Sequence, residues 1–219
     1  MVSLKHLLDN QEVEIFQLQK VDRENVTKEK EAEDRLFYLS AMDTLVYALE
    51  AKDEYTAGHS QRVAEMSVAI GKELKLPPDE LEDLRWAALL HDIGKIAVDQ
   101  AIQNKKGKLT SEEYQQVMIH VDIGAKIVRW LTNAKTVEMI KNHHCHYDGK
   151  RMEQSLAGKD IPLGARIIAV ADAYDAMTSD RPYRDALPVK EAIAEVQRCT
   201  GSQFDPMVVS AFYRVVDSA

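Results

Sequence analysis

Apolar residues recur at three- and four-residue intervals along most of this chain, the spacing that gathers them on one face of an α-helix. One such series begins near Leu36 and continues through Leu39, Met42, Leu45, Val46 and Leu49. Ahead of it, Leu4, Leu8, Ile15 and Leu18 stand at coiled-coil-like spacing until Asp22, Asn25 and Glu29 interrupt the seam. Fewer than three clean heptads fall short of a coiled coil. This segment is either a dimerising or signal-transmitting helix or a solvated helix packed on its own domain.

Helix punctuation is regular further on. Pro77-Pro78-Asp79-Glu80 opens a segment running to Leu90. Thr110-Ser111-Glu112-Glu113 has the form of a capping box, in which a hydroxyl and a carboxylate satisfy unpaired N–H groups at a helix start. Pro188 starts a segment through Val196, and Asp205-Pro206 supplies an N-cap with proline at the first helical position. Residues 105–108 and 148–159 read as loops. There is no alternating strand pattern and no internal repeat. The pattern predicts an all-α protein of eight or nine helices, with an extended N-terminal helical segment (1–38) before a domain at 39–219.

Composition narrows the class. Across 219 residues, 45% hydrophobic and 29% charged content excludes a disordered or fibrous chain, and only 9 glycines and 6 prolines favour helix. A net charge of −8 disfavours coating a nucleic acid polymer, though a small phosphorylated ligand could still be held by local cations. Two cysteines, Cys145 and Cys199, form no disulfide framework and fit a reducing cytosol. No apolar run approaches the ~18 residues of a membrane span. Lys5, His6 and Asp9 make the start a poor signal peptide. The expectation is a cytoplasmic protein without a membrane segment.

The chemistry concentrates in histidines. His6 and His146 carry the bland reading of surface or satisfied residues, whereas His59, His91, His120, His143 and His144 have company. His91 precedes Asp92 at the end of Trp86-Ala87-Ala88-Leu89-Leu90, and Asp172 interrupts the apolar run at 167–171. Ionisable groups beside apolar runs must be paired or ligated, because desolvating a lone charge is expensive. Imidazole and carboxylate are also ligands of borderline divalent metals. Neighbouring helical side chains diverge by about 100°, so an adjacent pair such as His143-His144 could serve two metals beside the helix. Spacing alone does not show that these segments meet.

Several blocks together carry a resemblance. They are Glu50-Ala51-Lys52-Asp53, Gly58-His59-Ser60, His91-Asp92-Ile93-Gly94-Lys95, Ile161-Pro162-Leu163-Gly164-Ala165-Arg166, and the run from Val170 to Arg184 that includes Asp172, Asp175, Arg181 and Arg184. In this order, over about residues 40–215, the chain resembles the HD-GYP branch of the HD-domain metal-dependent phosphohydrolases. The resemblance implies an HD-domain helical bundle holding two divalent metal ions, often iron or manganese. It implies hydrolysis of cyclic di-GMP to the linear dinucleotide or GMP. The ligands it implies are His59, His91, Asp92, His120, His143, His144 and Asp172, with Asp92 bridging the ions and a hydroxide between them attacking phosphorus. Where some members place a glutamate for a third metal, this chain has Tyr55.

The resemblance further implies that Lys95 contacts the scissile phosphate, from a neighbouring helix face if the helix continues past Asp92. Arg181 and Arg184 match phosphate-holding positions, with an ordinary salt bridge to Asp180 or Asp185 as the alternative. Asp175, one turn from Asp172, could orient Lys95 or a ligand histidine, or cap local structure.

One loop departs from the family. The pattern H-H-E-x-x-D-G-x-G-Y-P here reads His143-His144-Cys145-His146-Tyr147-Asp148-Gly149-Lys150-Arg151-Met152-Glu153. The expected consequence is a more flexible, charged loop without a stacking face, altering substrate fit or docking of a diguanylate cyclase partner. Cys145 reads by default as a small packed side chain, with an additional metal ligand or a redox-sensitive thiol as the alternatives. Three functions follow in order: a phosphodiesterase for cyclic di-GMP, a weakly active or inactive metal- and nucleotide-binding signalling module, and a phosphohydrolase for another nucleotide.

Overall fold

The structure, a computed structural model, describes residues 30, 36–37, 39–47, 58–105, 107–151, 156–180 and 185–217. The chain divides into two compact units, Met1–Thr44 and Leu45–Ala219. Residues 39–47 are helical, in line with the apolar series from Leu36. The heptad-like seam at 4–18, and the dimerising role read from it, lie outside the described residues.

The second unit is built from α1 (His59–Glu73), α2 (Pro78–Leu90), a 3₁₀ turn (Ile93–Ala97), α3 (Gln100–Gln103), α4 (Ser111–Met118), α5 (His120–Val128), α6 (Ala134–Asn142), α7 (Leu163–Thr178), α8 (Val189–Arg198) and α9 (Pro206–Asp217). Among the described residues there is no strand, only an isolated bridge between Thr200 and Phe204. The all-α expectation holds. So do the helix starts: Thr110 Oγ1 accepts from the Glu113 amide at 3.2 Å while Glu113 Oε2 accepts from the Thr110 amide at 2.7 Å. Asp205 caps α9 by accepting from the Met207 amide at 2.7 Å. The segment expected as loop at 148–159 ends in a short 3₁₀ turn, Gly158–Asp160.

Helix α7 is the axis of the core. Its run of Ile167, Ile168, Val170 and Ala171 is fully buried, as are Ile70 of α1, Leu84 and Leu90 of α2, Ile140 of α6 and Phe212 of α9. It packs on α1, α6, α8 and α9, while α1 also packs on α2, and α6 on α2 and α5. A helix apolar on nearly all sides is stable only when so surrounded.

Two glycines set the close approaches that matter for the site. A Cβ at Gly164 would run into the side chain of Met139, so glycine lets α7 lie against α6. A Cβ at Gly94 would overlap the carbonyl of His120 and the amide of Gly124. The 3₁₀ turn therefore seats directly on the start of α5, and this brings His91-Asp92 beside His120.

Candidate metal centre

Five separate pieces of chain deliver polar side chains to one place. His59 is the first residue of α1, and His91 and Asp92 follow the last residue of α2. His120 begins α5, His143 ends α6 with His144 in the turn after it, and Asp172 sits within α7. Each histidine thus stands at a helix end, where the backbone is free to turn a side chain inward. Asp172 is the one drawn from mid-helix.

Their ligand atoms form two groups, each with all atoms within 4.8 Å of one another: His59, His91 and Asp172, and Asp92, His120, His143 and His144. Asp92 faces both. Its Oδ2 lies 3.4 Å from His91 Nε2 and 3.9 Å from His59 Nε2, and its Oδ1 lies 3.4 Å from His120 Nε2. Asp172 Oδ1 lies 3.4 Å from His59 Nε2 and 4.0 Å from His91 Nε2. The adjacent histidines do not split between the groups, as helical divergence suggested they could. His143 closes α6 and His144 lies beyond it, so both rings turn the same way, with centroids 3.9 Å apart.

The backbone fixes which nitrogen each ring presents. Nδ1 of His91, His120 and His143 lies 2.6–2.7 Å from the carbonyl three residues earlier, of Ala88, Val117 and Ile140 respectively. A carbonyl only accepts, so Nδ1 carries the proton and Nε2 points its lone pair inward. Those three Nε2 atoms, together with Asp92 Oδ1, are buried and lack a hydrogen-bond partner among the described residues. Unpaired buried lone pairs are costly unless something else binds them. Unpaired imidazole and carboxylate lone pairs in these two groups suit divalent cations.

The fourth ring is held differently. His59 Nδ1 lies 2.7 Å from Asp175 Oδ2, and Asp175 in turn accepts from Arg62 Nε at 2.5 Å and Nη2 at 3.1 Å. Burial works against a charged His59, but Asp172 and Asp175 outweigh it and raise its pKa to about 9. At His143 burial and neighbouring His91 prevail, pushing the pKa down to about 3. Burial likewise lowers His120 and His144. Burial opposes the ionised forms of Asp92 and Asp172, yet Lys95 and His91 beside Asp92, and His59 beside Asp172, hold both carboxyls below the usual range. Near neutral pH the centre therefore offers ionised carboxylates and three neutral imidazoles, with one imidazole still to be deprotonated.

The cluster opens into a cavity of about 390 Å³, whose lining includes His59, Asp92, Lys95, His120, His144 and Asp172 along with Arg62, Lys105, Tyr114 and Arg151. That size suits a small-molecule site.

A profile of the HD domain family matches residues 43–208, most of the chain. The chain belongs to the HD-domain family. It is 41% identical over 170 residues to "Cyclic di-GMP phosphodiesterase PA4108" of Pseudomonas aeruginosa, covering 77% of this chain and 41% of that protein. It is 35% identical over 205 residues to a cyclic di-GMP phosphodiesterase of Thermotoga maritima, covering 92% and 54%. Among solved structures, the cyclic GMP-AMP-specific phosphodiesterase V-cGAP3 of Vibrio cholerae superimposes with a TM-score of 0.56 at 32% identity, covering 84% of this chain and 42% of that one. The chain thus spans about half or less of the length of these relatives. The HD-GYP resemblance read from the motif blocks is borne out.

Lys95 reaches the HD-domain centre by a route other than the continued helix. After Leu90 the chain leaves α-helical form, and the 3₁₀ turn Ile93–Ala97 stacks residue i+3 over residue i. Lys95 Nζ is thereby 2.6 Å from Asp92 Oδ2 while its side chain stays 30% exposed to the cavity. Asp175 orients His59 rather than Lys95. Cys145 is buried against Ile161 and Ala165, a packed side chain. Arg181, Arg184, Tyr55, Met152 and Glu153 lie outside the described residues.

The sequence does not single out Arg62 or Tyr114 of the cavity, and it marks Arg151 only as part of the altered loop. Arg62 falls one turn after His59, a faint signal at best. Tyr114 and Arg151 are 37 positions apart, and nothing local marks them as partners.

Proposed function

We propose that this chain is a two-metal phosphodiesterase that opens cyclic di-GMP at one phosphodiester, giving linear pGpG and then GMP. The observation that carries this reading is the set of buried, partnerless Nε2 atoms on His91, His120 and His143 converging with the two oxygens of Asp92. In this reading His59, His91 and Asp172 would hold one ion and His120, His143 and His144 the other, with Asp92 shared between the two groups. Iron or manganese bound there would supply an activated water and charge stabilisation for in-line attack at phosphorus.

The chain's own residues do the rest. The backbone carbonyls of Ala88, Val117 and Ile140 lock the imidazole tautomers, so the ligands are oriented before anything binds. Asp175 does the same for His59, steadied by Arg62. Lys95, held on Asp92 and open to the cavity, meets a non-bridging oxygen of the scissile phosphate and offsets charge that grows as the bond breaks. By resemblance, Arg181 and Arg184 grip phosphate with guanidinium forks. The domain at 39–219 carries this chemistry, and residues 1–38 and a cyclase partner would regulate it. With its free cysteines, the protein fits a cytoplasmic setting.

The likeness to V-cGAP3 favours a second reading, the same chemistry on 3′3′-cyclic GMP-AMP. The test is anaerobic purification, loading with manganese or iron, and product analysis with cyclic di-GMP, 3′3′-cyclic GMP-AMP and cyclic di-AMP. The proposal expects linear pGpG from cyclic di-GMP as the fastest reaction. Faster cleavage of cyclic GMP-AMP would establish the second reading. A metal-loaded protein that binds these nucleotides without cleaving any of them would make it a signalling module and overturn both.

A further inference from the structure

Four described cations line the cavity: Arg62, Lys95, Lys105 and Arg151. Three already face carboxylates. Arg62 is held on Asp175, Lys95 on Asp92 at 2.6 Å, and Lys105 on Glu113 at 2.6 Å. Arg151 is different. Its Nε donates to the Tyr114 hydroxyl at 2.9 Å, its Nη1 lies 3.2 Å from His146 Nε2, and its guanidinium carbon is 5.9 Å from the Tyr114 ring centre. Among the described residues no carboxylate lies within ion-pair distance of it.

Among the described residues this guanidinium in the cavity wall has only neutral partners. Its geometry is nonetheless fixed at two nitrogens, by Tyr114 from α4 and by His146 from the turn after α6. Among the described residues, two of its five N–H donors are engaged, which leaves three to offer another acceptor. Such a fork, oriented in advance, suits a phosphate oxygen and gives up little side-chain freedom on binding. The residue also stands where the family pattern H-H-E-x-x-D-G-x-G-Y-P has glycine, so it adds a charge that the pattern does not supply.

A cyclic dinucleotide carries two phosphodiesters, and only one can lie at the metal centre and Lys95. We propose that Arg151 binds the second phosphodiester, the one not being cleaved, so that this chain reads its substrate by two phosphates rather than one. This inference rests on the phosphodiesterase reading above. It makes Arg151 a specificity-determining residue and gives Tyr114 the task of positioning it.

The test compares wild-type protein with Arg151→Gln and Arg151→Lys, all manganese-loaded, by calorimetry with two cleavage-resistant ligands. One is the bis-phosphorothioate analogue of cyclic di-GMP, with two diesters; the other is the phosphorothioate of linear GpG, with one. R151Q is expected to lose roughly 10- to 100-fold in affinity for the cyclic ligand, as for one charge-assisted contact. Its loss for GpG is expected to be several-fold smaller, with R151K intermediate for the cyclic ligand. Equal losses for both ligands, or no loss for either, would overturn the inference while leaving the phosphodiesterase reading in place. Wild-type protein that holds manganese but binds neither ligand would overturn the phosphodiesterase reading and this inference together.

Discussion

The two sides of the cavity are built on opposite plans. On the side of the candidate metal centre, His91, His120 and His143 are at most 1% exposed, and each ring is tied to the backbone carbonyl three residues before it. On the outer side, Tyr114 and Arg151 are only partly buried and hold each other through one hydrogen bond between side chains. A ligand cage must present the same atoms every time, so its geometry is overdetermined by short-range backbone contacts. A wall that reads a ligand needs only a few donors, and a single substitution can change them. One wall can therefore keep to the family pattern while the other departs from it.

Substitutions can break or sharpen that contrast. The largest effect is expected at Asp92, which faces both ligand groups. Asp92→Ala should lower hydrolysis by at least about 10³-fold and strip bound metal, read by product analysis and metal content. Next comes Gly94→Ala, which leaves every ligand in place but sets a methyl group against the His120 carbonyl. It should cost about 3 kcal/mol in denaturant unfolding and reduce metal content with it. Asp175→Asn removes the carboxylate behind His59 while keeping its volume. A drop of roughly 10- to 100-fold in metal affinity is expected by titration, with stability changed far less. Smallest is Cys145→Ser, which should cost about 1 kcal/mol of stability and leave metal content unchanged. Lost metal in that variant would move Cys145 from the core into the ligand set.

Much of this was legible in the sequence, for identifiable reasons. Helix starts at Thr110 and Asp205 use caps that act within three residues, so the chain announces them locally. Histidines of the candidate centre stand beside apolar runs, where an ionisable group has to be explained. What stayed hidden was set by tertiary packing. The 3₁₀ turn that places Lys95 over Asp92 depends on Gly94 meeting α5, a contact across 26 residues of chain. Arg62 supports His59 through an aspartate 113 residues away. In sequence Arg151 belongs to an altered loop, and the Tyr114 hydroxyl that accepts its hydrogen bond comes from a distant helix.

The central claim is that seven side chains form one two-ion centre, and a manganese titration of the metal-free protein between pH 6 and pH 9 tests it most directly. His59 protonates with a pKa raised to about 9, so its charge stabilises the metal-free fold below its unfolded pKa of about 6.5, and that contribution is lost as pH rises through 9. Metal must displace this proton, whereas His143, with a pKa of about 3, is already neutral. The account predicts two ions bound per chain, with the affinity of the His59 site rising about tenfold per pH unit between 7 and 9. A protein that takes up no transition metal at any pH in that range, or whose uptake is indifferent to His120→Ala and His59→Ala, would contradict it.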